Sequence, residues 1–164
     1  MATWRLDVIE TVATQRLLAC ASPAYLAERG TPWDPAELLD HECLQFVSAG
    51  RPEPWSFVGG SIELPGCLNG RLRMDSAEAL VEAAIHGVGI VHLPTYLLAS
   101  AIRGGQLTPI LERFAPRGSP IRAIYPTRRQ VAPKVRMFID SLTAAWQPLP
   151  PWERELAGSL RTSP

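Results

Sequence analysis

The chain has 164 residues, 46% of them apolar, and its 16 Lys and Arg balance 16 Asp and Glu for a net charge of +0. That suffices for one domain with a real core. It excludes the overall basic surplus with which nucleic-acid-binding domains neutralise phosphate. No run of about 18 apolar residues suggests a membrane span, the start lacks a signal-peptide core, and Cys20, Cys43 and Cys67 have neither metal nor paired-disulfide spacing, so a reduced, cytoplasmic protein is expected.

In chain order, Arg16-Leu17-Leu18-Ala19-Cys20-Ala21 is a short apolar run that predicts a buried strand. Ser22 caps a following helix that Pro23 opens and Gly30 stops. Asp34 caps a short helix from Pro35, and Glu42-Cys43-Leu44-Gln45-Phe46-Val47 is the next strand. Residues 48–54 read as a loop. Trp55-Ser56-Phe57-Val58 reads as a short strand, and Ile62-Glu63-Leu64 and Arg71-Leu72-Arg73-Met74 as half-buried ones.

Asp75 and Glu78 have capping-box spacing, and Ala77, Leu80, Val81, Ala84 and Ile85 form the apolar stripe of the helix they open. Gly87 ends it, and Gly89-Ile90-Val91 suits a strand covered on both faces. A helix follows from Pro94 to Arg103, then strands over residues 107–111 and 120–125. The last helix runs from Pro133 to Trp146 with Val135, Phe138, Ile139 and Leu142 on one face. This division gives a lead-in over residues 1–15, a domain over 16–146 and a flexible tail over 147–164, in which Trp152 to Leu156 could form a helical turn. Residues 119–164 are mildly basic through Arg122, Arg128, Arg129, Lys134, Arg136, Arg154 and Arg161, which reads as a solvated surface. Strands alternating with helices predict an α/β layer fold.

Catalytic patterns are missing. His41, His86 and His92 have no zinc-hydrolase spacing, no serine sits in a nucleophile elbow, and Gly87-Val88-Gly89 ends a helix instead of opening one on a dinucleotide. Ser22 and Ser76 read as caps. His86 suits the last turn of its helix. His92, at a strand's carboxyl end, fits a ligand contact or a core residue equally well. Trp55 and Phe57 fit core packing better than a pocket wall. No metal or other cofactor is expected. Helices starting near Pro23, Ser76 and Pro94 offer N-termini that attract anions. If they converge with the end of the Phe46-Val47-Ser48 strand, they hold a small anionic molecule.

Several motifs occur in one order: Ala21-Ser22-Pro23-Ala24-Tyr25-Leu26, Gly30-Thr31-Pro32, Leu38 with His41 and Cys43-Leu44, Pro54-Trp55-Ser56-Phe57, Gly-x-Gly-Ile-x-x-Leu-Pro at 87–94, and Pro133-Lys134-Val135-Arg136-x-Phe138-Ile139-x-x-Leu142. Over residues 14–146 this resembles the effector-binding domain of LysR-type transcriptional regulators. The resemblance implies a type 2 periplasmic-binding-protein-like α/β fold, here mainly the second subdomain plus the returning C-terminal segment. It implies a non-enzymatic sensor of a small organic effector, a homo-oligomer in the full-length regulator, and DNA contact only through a helix-turn-helix domain not found in this sequence. By position, the effector contacts are Val47, Ser48, Ala49, Ser76, Val91, His92 and Leu93. Crossovers between subdomains fall near residues 17–21 and 121–125. The strand–helix block that builds the first subdomain is also missing here, so an apolar patch at Phe138 and Leu142 is expected to lie open. The alternatives are a fragment of a periplasmic-type solute-binding protein and a small α/β enzyme using Ser48 or Ser76 with His92.

Overall fold

In a computed structural model of the chain, the described residues are 8–59, 68, 70–116, 118–125 and 132–159. The fold is organised around strand β2 (Leu17–Ala21). It lies between β6 (Val91–Pro94) and β7 (Thr108–Ile110), antiparallel to both. Its side chains alternate between two cores. Leu18 and Cys20 enter one, Ala19 and Ala21 the other, and all four are buried. Burial on both faces explains why β2 reads as a continuous apolar run with no polar alternation.

A parallel bridge between Cys43 and Ile90 continues the sheet. Leu44 N–H donates to Ile90 O at 2.8 Å, and Ile90 N–H to Glu42 O at 2.8 Å. Beyond the bridge, β3 (Gln45–Ser48) pairs parallel with β5 (Arg73–Met74) and antiparallel with β4 (Arg51–Pro52). The first core is covered by α2 (Ala77–Ile85) and α3 (Thr95–Arg103), and α1 (Pro23–Arg29) with a 3-10 turn at Pro35–Asp40 covers the second.

A separate layer pairs β1 (Val8–Gln15) with β8 (Ser119–Tyr125), backed by α4 (Pro133–Trp146). Arg16 alone separates β1 from β2, so the chain passes between layers at that residue.

Several predicted signals act as read. Ser22 Oγ accepts from Tyr25 N at 3.2 Å, Asp34 Oδ1 from Ala36 N at 2.9 Å, and Gly87 turns the chain at φ +79° after α2.

Other expectations fail. Residues 55–58 form no strand: Val58 N–H donates to Phe114 O at 2.8 Å outside any ladder, and the Trp55 and Phe57 rings turn toward His92. The loop expected over 48–54 contains a hairpin whose turn, Ala49-Gly50, has φ +49° and +77°. The capping box expected from Asp75 does not form; Ser76, also read as a cap, holds the start of α2. Its Oγ accepts from Ala79 N at 3.2 Å, three residues on, and donates to Glu78 Oε2 at 3.3 Å. The strand expected at 89–91 runs later, as β6, with Ile90 making only the bridge to Cys43; Gly89 passes against Glu42 O, 2.3 Å from where a Cβ would lie. Ile62-Glu63-Leu64 and Cys67 lie outside the described residues.

The expected tail differs most. Pro151–Ser159 form helix α5, which packs on α3 and buries Leu156 completely. Sequence offered only a helical turn because α5 is charged on its outer face and carries few apolar anchors.

Candidate functional site

β3, β5 and β6 run in one direction, so their carboxyl ends share one edge of the sheet. A cavity of about 290 Å³ opens at that edge. Such edges are where open α/β sheets bind ligands. Phe46 from β3, Ala77 at the start of α2, and His92, Leu93 and Pro94 from β6 form one side. Tyr96 and Leu97 of α3 and Leu17 of β2 continue it, and Gln15, Glu53, Pro54 and Trp55 complete the rim.

His92 is the buried polar group of the wall. It is 8% exposed, its ring lies 5.3 Å from Trp55 and 5.0 Å from Phe57, and its Nε2 has no hydrogen-bond partner among the described residues. Desolvation lowers its pKa from 6.5 to about 4, so the imidazole is neutral at pH 7. A buried, unpartnered nitrogen is costly to leave so, and a ligand group could relieve that cost. The α3 N-terminus beside it has no side-chain cap. Among the described residues, the lining holds one acid, Glu53, and no Lys or Arg.

The other histidines are structural. His41 is buried, with Nδ1 3.1 Å from the Tyr25 hydroxyl, and desolvation chiefly lowers its pKa. His86 caps α2, with Nδ1 2.8 Å from Glu82 O. Burial raises the Cys20 thiol's pKa strongly and pushes Cys43 up to about 12, so both stay protonated. Among the described residues, no group of three or more His, Cys, Asp or Glu could hold a metal ion, and no helix is long and apolar enough to cross a membrane.

Residues 7–147 match the model of the LysR substrate binding domain. The chain belongs to this LysR family. A putative transcriptional regulator of Pseudomonas aeruginosa is 32% identical over 129 residues, which are 77% of this chain and 42% of that protein. The regulatory domain of CrgA, a LysR-type transcriptional regulator from Neisseria meningitidis, superposes with a TM-score of 0.72 at 30% identity, covering 85% of this chain and 71% of that domain. Full-length AphB of Vibrio cholerae shares the fold, with a TM-score of 0.74 at 22% identity over 88% of this chain and 49% of its own. The chain thus has the type 2 periplasmic-binding-protein-like fold of LysR regulatory domains. It spans about two fifths of the length of the curated regulators it matches.

Of the contacts that the resemblance implies, His92 and Leu93 line the cavity directly. Ser76 sits one residue before the lining Ala77 and holds the start of α2. Val91 points into the first core and is 0% exposed. Val47 lies one residue beyond the lining Phe46, and Ser48 and Ala49 are exposed at the hairpin turn.

The expected convergence of three helix starts is reduced to two, those of α2 and α3. β2 runs antiparallel to β6, so α1, which follows β2, begins at the opposite edge of the sheet. Sequence reasoning missed Gln15, Leu17, Glu53 and Tyr96, and favoured core packing for Trp55. The signal available for Tyr96 was its place in the first turn of a helix with no capping side chain. The Ser76 hydroxyl is engaged as a cap and His92 Nε2 has no partner, so Ser76 is not paired with His92 Nε2 as a nucleophile.

Proposed function

We propose that this chain is the effector-sensing domain of a LysR-type transcriptional regulator, and that its ligand binds in the cavity beside His92. The supporting observation is the unpartnered Nε2 of His92 behind Trp55 and Phe57, at the shared carboxyl ends of β3, β5 and β6. The ligand is a small organic anion with an aromatic or otherwise apolar body. Its body packs on Phe46, Trp55 and Leu97, and its one anionic group meets the uncapped start of α3. Among the described residues, no basic side chain in the lining competes for that role.

Binding would shift the balance between two arrangements of the layers joined at Arg16, and this bias would pass to the DNA-binding part of a full-length, cytoplasmic homo-oligomer. The domain itself performs no catalysis. The names of its relatives, which are transcriptional regulators, support this reading.

Titration calorimetry of the chain against benzoate, salicylate and indole-3-carboxylate, with their neutral amides alongside, tests the proposal. Saturable binding of a carboxylate that exceeds that of its amide is expected. Binding of none, or equal binding of acid and amide, would overturn the assignment of an anionic effector.

A further inference from the structure

The helix α5 lies beyond the residues matched by the family model, yet it braces one wall of the cavity from behind. Its Glu153 is 7% exposed. Glu153 Oε2 accepts from Arg16 Nε at 2.8 Å and lies 2.7 Å from Arg16 Nη2, and its Oε1 accepts from the Thr95 hydroxyl at 2.6 Å. Thr95 N–H in turn donates to Arg16 O at 2.9 Å. The chain neighbours of these two residues are cavity wall: Gln15 and Leu17 flank Arg16, and Pro94 and Tyr96 flank Thr95. The preceding residue of α5, Trp152, meets the ring of Tyr96 edge-on at 6.0 Å. Arg16 is also where the chain passes between the two layers.

We propose that Glu153 is a positioning residue of the effector cavity: it fixes the crossover at Arg16 against the start of α3, so that α5 sets the position of the wall that β2 and the start of α3 give to the cavity. The inference rests on reading this cavity as the effector site. A carboxylate suits the task because it accepts from both partners at once, and charge-assisted bonds in a buried setting hold geometry firmly. A helix that only covered apolar surface would need Leu156 and Trp152 but no buried acid.

Amide hydrogen exchange on the whole chain, without ligand, tests the clamp in the Glu153→Gln variant. The Thr95 amide should exchange faster by about tenfold or more. The Arg154 amide of α5 and the Leu44 amide of the sheet should be unchanged. Arg103→Ala cuts a different tie of α5, the 3.4 Å Arg103–Glu155 pair, and should leave Thr95 protected. Should Glu153→Gln fail to fold, Thr95→Val removes the hydroxyl alone, and the amide at position 95 should accelerate several-fold. An unchanged amide at position 95, or equal acceleration at positions 95 and 44, would overturn the clamp. Neither result depends on any ligand, so a failed effector titration and a failed clamp are separate outcomes.

Discussion

The sheet around β2 and the layer of β1, β8 and α4 bury their side chains very differently. In the first, Leu18, Leu44, Leu80 and Leu98 are at most 2% exposed, and helices or turns cover both faces. In the second, the 14-residue α4 buries Ile139, while Met137 and Phe138 on α4 and Ile9 and Ile124 on the strands are more than half exposed. The sheet region therefore carries most of the apolar burial that opposes chain entropy. The second layer leaves apolar side chains exposed on α4, as expected for Phe138, and on its strands; Leu142 is partly buried. The cavity belongs mainly to the first region and borrows Gln15 from the second.

This contrast can be broken at its strongest point. Leu98→Ala empties a fully buried site between α3 and the sheet and should cost about 3 to 5 kcal/mol in denaturant unfolding. A loss under 1 kcal/mol would mean that the sheet is not the main source of stability.

A pH series sharpens the picture at His92. Its native pKa of about 4 lies below the ordinary 6.5, so between these values the unfolded chain binds the extra proton. Stability should fall as pH drops from 6.5 to 4, by on the order of 3 kcal/mol, and this contribution should level off below pH 4. His41 shifts the same way, so the relevant readout is the difference between wild type and His92→Phe, which should lose that part of the slope.

Gly89→Ala places a Cβ against Glu42 O and the Leu44 side chain at the entry to β6, and should cost about 2 kcal/mol. In the other region, Phe138→Ser should change unfolding free energy by less than about 0.5 kcal/mol. It should also reduce concentration-dependent association in sedimentation, since it removes an exposed apolar ring.

Much of the sheet region was legible because its signals are local. Ser22, Asp34 and Gly87 mark helix ends by chemistry that acts within three residues, and β2 is apolar at every position because both faces are covered. What was missed depends on distant partners. Trp55 and Phe57 have the composition of a strand, but their partner is the His92 ring, some 35 residues on. Glu153 reads as one surface charge among several, and only the fold brings Arg16 and Thr95 to it. The site was half legible for the same reason. Strand ends point to His92 and Leu93, but which helix starts share their edge depends on strand direction, which local sequence does not carry.

The ligand is proposed to sit between His92, Trp55 and the start of α3. Mapping amide and ring chemical shifts on the chain with the tightest-binding carboxylate tests this most directly. The largest shifts are expected at His92, Trp55, Ala77 and Tyr96, with a change in the His92 Nε2 resonance as it gains a partner. Shifts concentrated instead around Trp33 and Arg113, which line a separate groove beside β7, would contradict it.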